Sequence, residues 1–252
     1  MIPWEFLESA QAPGNGEELR LYRRGREFSI RVNGCELMNS RAHGSEEALA
    51  ELACANIADR PCSRVLIGGL GMGYTTAAAL RRLGAETQVV VAELVPAVVA
   101  WNRGPLAELA GYPLQDVRVT VREVDIARIL QEEQRVFDAI LLDVDNGPGG
   151  LTRKENDRLY ARAGLDAAFA ALRPAGVLAV WSAGPDRAFT KRLCQAGFEI
   201  NEVCVRARRG AVQGLHTARG RVGAARLILV ALGIVAGTVR AHGPARRAPR
   251  HP

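Results

Sequence analysis

From position 64 the chain runs Arg64-Val65-Leu66-Ile67-Gly68-Gly69-Leu70-Gly71-Met72-Gly73-Tyr74, then a helix-like stretch over 75–83, then Gln88-Val89-Val90-Val91-Ala92 and Glu93. An apolar strand meets a glycine turn, a helix carries the chain back, and a second apolar strand ends on an acid. Glycines let the backbone bend sharply and approach a ligand where a Cβ would collide. A carboxylate at the tip of the second strand can accept hydrogen bonds from the two hydroxyls of a ribose. A Gly-x-Gly-x-Gly run alone also occurs in plain tight turns. In this order of elements it points to a nucleoside cofactor held by Gly68, Gly69, Gly71, Gly73 and Glu93.

The rest of the chain fits that start. Strand patterns fall at 63–68, 88–93, 117–121, 137–143, 177–182 and 199–206, and helix patterns at 74–83, 96–109, 126–133, 155–172 and 186–195. Short apolar strands alternating with helices predict an α/β fold, a doubly wound and mostly parallel sheet with both faces covered. Ligands of such a sheet lie beyond the carboxyl ends of its strands. Upstream, residues 19–38 alternate around Asn33-Gly34, a strong hairpin signal. They predict a small N-terminal antiparallel β-hairpin unit over 1–44. Ser45-Glu46-Glu47 then opens a helix over 48–57, with Ser45 as its N-cap. The nucleoside-cofactor domain is expected over 45–235.

Charge is distributed unevenly. The chain of 252 residues carries a net charge of +6, yet no Asp or Glu follows Glu202, whereas arginines are frequent there. The excess belongs to the C-terminal fifth, and the body shows no general attraction to phosphate. Residues 236–252 have nothing to bury and are expected to be a basic, disordered tail. That tail is the only route by which nucleic acid enters as a partner. The apolar run over 227–239 is too short to span a bilayer as a helix. Its first part, 226–232, is expected as a buried strand at the edge of the sheet, and no membrane partner is expected. Cys35, Cys54, Cys62, Cys194 and Cys204 make an odd set without Cys-x-x-Cys, and no histidine lies nearby at metal-ligand spacing. They predict buried thiols in a reduced, cytoplasmic protein without a metal, and the N-terminus lacks a secretory signal.

Acids recur at the strand tips: Glu93 after the second core strand, Asp125 past the third, Asp143 ending the fourth. Asp125 precedes a helix and suits an N-cap worth about 1 kcal/mol; the same carboxylate can accept a bond from an adenine amino group. Asp143 ends Ala139-Ile140-Leu141-Leu142-Asp143 and opens a polar loop with Asp145, Asn146 and Gly147. A carboxylate there can hold an amine or take a proton from it. Asp145 and Asn146 serve either that substrate or the turn itself. Tyr160 and Trp181 read as core or as pocket wall at the same end of the sheet. His43 and His216 have no partner in sequence, and no grouping suggests covalent catalysis.

These motifs resemble the spermidine synthase (polyamine aminopropyltransferase) family, whose catalytic domain has a class I methyltransferase-like Rossmann fold. The resemblance covers about residues 19–206. The family's cofactor loop is similar to Ile67-Gly68-Gly69-Leu70-Gly71-Met72-Gly73, its ribose acid to Glu93, its adenine-side Asp to Asp125, and its catalytic Asp to Asp143. The turn into its fifth strand resembles Arg173-Pro174-Ala175-Gly176-Val177-Leu178. The departures fall on the amine side. The family's loop reads Gly-Gly-Gly-Asp-Gly, and its Asp helps hold the aminopropyl amine; here that position is Gly71. The family's Tyr-His-Glu falls near Glu46-Glu47-Ala48-Leu49, its Asp-Ser-x-Asp-Pro on Asp143-Val144-Asp145-Asn146-Gly147-Pro148, and its fifth-strand Gln near Trp181.

The resemblance implies a transferase that uses decarboxylated S-adenosylmethionine to alkylate a small-molecule amine acceptor, with Asp143 as catalytic residue. Asp145, Asn146, Tyr160 and Trp181 fall on the substrate side, and the family is commonly dimeric, implying a homodimer. A second reading is a methyltransferase using S-adenosylmethionine itself, since Gly71 removes repulsion against a cofactor carboxylate. A third is a non-catalytic cofactor- or nucleic-acid-binding protein that keeps the pocket without turnover.

Overall fold

The computed structural model describes residues 2–14, 16–144, 157–182, 186–205 and 226–232. An antiparallel sheet comes first, its strands in sequential order: β1 (Glu5–Gln11), β2 (Glu18–Arg24), β3 (Glu27–Val32) and β4 (Cys35–Asn39). Alternation sorts its two faces. Leu19 and Leu21 of β2 and Phe28, Ile30 and Val32 of β3 are buried against the rest of the molecule. Asn33 and Gly34 both have positive φ, +51° and +80°, as a two-residue hairpin turn requires. The expected hairpin unit thus forms three strands, β2 to β4, of a four-stranded sheet. The additional strand β1 is bulged between Phe6 and Glu8, which breaks the period of two that would have revealed it.

α1 (Gly44–Ala55) leads into the second sheet. Its N-cap is His43, not the expected Ser45, whose hydroxyl donates instead to Glu46 Oε2 at 2.6 Å. The second sheet contains β5 (Arg64–Gly68), β6 (Gln88–Ala92), β7 (Val119–Arg122), β8 (Phe137–Leu142), β9 (Leu172–Ser182), β10 (Glu199–Val205) and β11 (Arg226–Leu232). Its order is β10-β11-β9-β8-β5-β6-β7, and every neighbouring pair is parallel. This is the class I methyltransferase-like, doubly wound fold that the sequence predicts. One strand is misplaced in that expectation. β11 lies between β9 and β10 and not at the edge, a position that suits an unbroken apolar run.

Between the strands come α2 (Tyr74–Arg82), α3 (Pro96–Arg103), α4 (Ile126–Glu132), α5 (Asp157–Tyr160), α6 (Arg162–Ala171) and α7 (Arg187–Gln195). Alternate residues of each strand feed opposite layers. Val65, Ile67, Val89, Val91 and Leu141 pack in one core with Leu49, Ala78 and Val99 of α1, α2 and α3. Leu66, Val90, Ile140, Leu142 and Leu178 pack in the other with Ile129, Leu165 and Phe189 of α4, α6 and α7. Each fully buried Leu, Ile or Phe stabilises the fold by roughly 1.5–3 kcal/mol.

Several boundaries move. The helix expected over 96–109 ends at Arg103, where Gly104 takes a non-helical conformation. The strand expected from 117 begins at Val119, and Val117 is 99% exposed. The helix expected over 155–172 is two, interrupted at Ala161, and β9 starts at Leu172. The expected turn over 173–176 is absorbed into β9 as an irregularity with Ala175 at φ +59°, its carbonyl held by Arg60 Nη2 at 2.7 Å. The thiols also differ from expectation: Cys54 is buried, but Cys35, Cys62 and Cys194 are exposed, because each lies at a strand or helix end or in a turn. Residues 236–252 lie outside the described residues. No helix among the described residues is long and apolar enough to cross a membrane.

Candidate functional site

The strand order reverses beside β5, so the loops after β5, β6, β7 and β8 splay apart at their carboxyl ends and leave a cleft. The glycine turn forms its floor. Gly69 N donates to Ala92 O at 2.9 Å, Asp143 N to Gly68 O at 2.9 Å, and Gly73 N to Leu70 O at 2.8 Å. Gly69 has φ +87°, and a Cβ there would collide with the Asp143 carbonyl. Only glycine lets the turn after β5 pass so close to the tip of β8. From α3, the buried Asn102 donates its Nδ2 to Gly71 O at 2.8 Å and to Val98 O at 2.9 Å, pinning the turn from behind.

The three strand-tip acids converge on this cleft. Glu93 is 8% exposed; its Oε2 accepts from Leu70 N at 2.9 Å and its Oε1 from Val95 N at 2.8 Å. It clamps the glycine turn to the tip of β6. Asp125 caps α4, with Oδ1 accepting from Ala127 N at 2.8 Å, and stands exposed on the rim. Asp143 Oδ2 accepts from Thr75 Oγ1, in the first turn of α2, at 2.5 Å. Burial above all, then the nearby Glu46 carboxylate, pushes the Asp143 acid up to about 7, although the Thr75 bond pulls the other way.

Two lobes meet at this acid. The first has about 870 Å³ of empty space counting its open mouth; Gly69, Gly71, Glu93, Asp125 and Asp143 line it, under an apolar roof of Leu19, Ile30, Val32, Leu37 and Met38 from the antiparallel sheet. The second, about 610 Å³, is lined by Glu46, Gly71, Tyr74, Thr75, Asp143 and Trp181. Gly71, Asp143, Leu37 and Met38 border both. Among the described residues no lysine or arginine lines either lobe. The chain is basic, but its cleft is acidic.

Among solved structures, the fold aligns with a spermidine synthase crystallised in complex with the transition-state analogue AdoDATO, at a TM-score of 0.60 and 17% identity, over 76% of this chain and 63% of that one. A spermidine synthase from Thermotoga maritima gives 0.58 and 17%, over 76% and 62%. The protein has the fold of the spermidine synthases. It spans a little under two thirds of the length of these two neighbours. No family model matches the sequence, and no curated protein matches it.

Within that fold the sequence-predicted residues separate into three groups. Gly68, Gly69, Gly71, Gly73, Glu93, Asp125 and Asp143 surround the glycine turn, and Trp181 walls the second lobe. Gly68 lies just beneath, against Ile126, and Gly73 caps α2 at φ +84°. Tyr160 is set back: 3% exposed, it packs edge-on against Phe189 and donates to Val144 O at 3.5 Å, supporting the chain just past Asp143 instead of lining either lobe. Asp145 and Asn146 lie outside the described residues. His43, without a partner in sequence, stacks on Tyr74 at 4.1 Å between ring centres, with Nδ1 3.4 Å from Glu47 Oε2. The sequence does not mark Thr75, Asn102 or Met38 as site residues, and it marks Glu46 only by its place near the family's Tyr-His-Glu. Of the first three, Asn102 alone leaves a trace in the sequence, as a polar residue on the buried side of an apolar helix.

Proposed function

We propose that this protein transfers an alkyl group from an adenosyl sulfonium, decarboxylated S-adenosylmethionine, to an amine. The observation that carries this reading is a cleft lined by carboxylates and, among the described residues, by no cation, on a chain whose net charge is +6. Sulfonium and ammonium are both cationic, and an acidic recess in low dielectric favours both. The residues of the first lobe fit a nucleoside: Glu93 for the ribose hydroxyls, Asp125 for the adenine amine, and Val95, Val124 and Ile126 as apolar flanks for a base. That one spermidine synthase with this fold was solved with AdoDATO supports the same assignment.

The sulfonium supplies an electron-poor carbon with a good leaving group, methylthioadenosine. Asp143 stands where the lobes meet and takes the proton of the acceptor ammonium, freeing the nitrogen lone pair. The C–N bond forms as the C–S bond breaks, and the sulfur keeps the bonding electrons. A carboxyl group poised near 7 suits that exchange at neutral pH. Most of the acceleration comes from alignment, with the roof of Leu37 and Met38 keeping water off the line of attack.

Methyl transfer from S-adenosylmethionine is the second reading, favoured by the absence of a carboxylate at Gly71. Against it, Glu46 and Asp143 would face the cofactor's own carboxylate across the second lobe. Titration by calorimetry with S-adenosylmethionine, its decarboxylated form and methylthioadenosine decides between them. Decarboxylated S-adenosylmethionine and methylthioadenosine are expected to bind and the carboxylated form to bind at least tenfold more weakly. A preference for the carboxylated form would replace the first reading with the second, and binding of none would remove both. In the first reading the partners are a small-molecule amine and, by the resemblance, a second copy of the chain.

A further inference from the structure

Strand β4 departs from its period of two just where it meets the cleft. Its pairing with β3 sets Arg31 opposite Glu36 and Ile30 opposite Met38, so Leu37 is left over as a bulge. A regular strand would send Leu37 and Met38 to opposite faces. With the bulge both reach the cleft, and both border the two lobes. Across from Met38, Gly71 has φ +53° and no side chain. A Cβ there would meet Met38 Sδ at 3.4 Å and Met38 Cε at 3.7 Å, and among the described residues nothing else within 4 Å beyond its own chain neighbours. The end of Met38 thus lies on the bare turn, where one lobe passes into the other beside Asp143. We propose that Met38 is the specificity-determining residue of this junction: its thioether end, laid on Gly71, admits an unbranched alkyl chain of the donor and turns away a branched one.

The inference rests on the amine-transfer reading and adds to it the shape of the group transferred. In that reading the sulfonium lies in the first lobe and the amine in the second, so the alkyl carbon crosses between them past Asp143. Met38 reaches this crossing with an unbranched, freely rotating side chain that can fit itself to a slender neighbour. A branch has no such room. The turn on the far side is backbone, and Asn102 Nδ2 holds it through Gly71 O at 2.8 Å, so it does not retreat. Crowding a filled space forces side chains off their rotamers, and one carbon more or less in an apolar pocket discriminates by roughly 10- to 200-fold. The same contact accounts for the bareness of Gly71: the space that a side chain would take there belongs to Met38.

The test is calorimetry on the full chain with 5′-n-butylthioadenosine and 5′-isobutylthioadenosine, isomers that differ only in branching, and with methylthioadenosine as reference. Wild type is expected to bind the n-butyl compound about tenfold or more tightly than the isobutyl one. In Met38→Ala that preference should fall below about threefold, whereas Met38→Leu, which keeps most of the volume, should retain it. Gly71→Asn approaches the same contact from the turn, and φ +53° is a conformation that Asn tolerates. It should displace the end of Met38 and weaken n-butyl binding about tenfold, and adding Met38→Ala should recover most of that loss. Equal binding of the two isomers by wild type overturns the inference, as does a preference that survives Met38→Ala. Losses that simply multiply in the double variant overturn it too, since residues in contact must couple. If Met38→Ala loses methylthioadenosine along with both isomers, Met38 is structural and the inference falls. If wild type binds none of the three compounds, the amine-transfer reading itself fails, and this inference with it.

Discussion

β8 carries an acid near each end, and the two are treated in opposite ways. Asp138, near its start, is buried and has three donors: Arg60 Nη1 at 3.0 Å, Arg173 Nη1 at 2.8 Å and the backbone N of Arg64 at 2.9 Å. Asp143, just past its other end, has Thr75 and a neighbouring acid, and no cation among the described residues pairs with it. One carboxylate is neutralised by guanidinium and ties β5, β8 and β9 together. The other is desolvated beside negative charge. The residue type is the same and both sit at β8; their partners separate a strut from the acid proposed to react.

Substituting each acid tests that contrast, and the effects should differ in kind. Asp143→Asn is expected to lower kcat by about 10²- to 10⁴-fold, the range for loss of a general base, with methylthioadenosine affinity nearly unchanged by calorimetry. Its effect on stability has the opposite sign to the usual loss. The folded pKa of Asp143 is raised to about 7, above its ordinary value. Its protonated form is therefore the one the fold prefers: its contribution is full below pH ~4, is lost as pH rises to about 7, and is level beyond. Asn stays neutral, so at pH 8 the variant should be more stable than wild type by roughly 1–4 kcal/mol, and the two should converge near pH 4. Asp138→Ala should instead destabilise by about 2–4 kcal/mol across neutral pH, since it strands two arginines that still reach solvent. Urea melts of both variants at pH 4 and pH 8 decide the matter. Equal destabilisation by both would mean that Asp143 is a structural acid after all.

The sequence is legible at one end of this contrast and not at the other. The glycine turn, Glu93 and the strand-tip position of Asp143 are local facts, set by a few consecutive residues and by the rule that parallel strands present their carboxyl ends to a ligand. Glu46, Thr75 and Trp181 come to Asp143 from three separate elements, and no spacing along the chain encodes that meeting. Asp138 shows the same limit. Nothing in Phe137-Asp138-Ala139 says that Arg60 and Arg173 will converge on it, and an acid opening an apolar strand reads as an exposed end. The misplacement of β11 has a different cause: its sequence gives a buried strand but not its neighbours, and a strand that returns to the middle of a sheet is placed by topology alone.

The poise of Asp143 can be shifted without touching its carboxylate. Thr75 is 2% exposed and donates to Asp143 Oδ2, favouring the ionised form. Thr75→Val keeps the shape and removes the donor, so the Asp143 midpoint should move further above 7. The acid limb of kcat against pH, which should rise through about 7 in wild type, is expected to shift to higher pH by roughly one to two units. At its own optimum the variant should recover much of the wild-type kcat. A profile that keeps its midpoint while losing height would show that Thr75 orients Asp143 without tuning it.

The smallest effect is expected at Asp125, an exposed acid whose partner is backbone. It caps α4 by accepting from Ala127 N, and it borders the first lobe. Asp125→Ala should cost about 1 kcal/mol of stability through the lost cap. Asp125→Ser should restore most of that, because a hydroxyl caps as well. Methylthioadenosine binding separates the cap from the proposed adenine contact. If Asp125 meets the base, both variants should bind it several-fold more weakly, although only the alanine variant is less stable. If binding in the serine variant matches wild type, Asp125 is a cap and no more, and the nucleoside is left to Glu93 and the glycine turn. The acids past β7 and β8 would then divide as the two ends of β8 do: one carboxylate spent on the fold, the other kept for the ligand.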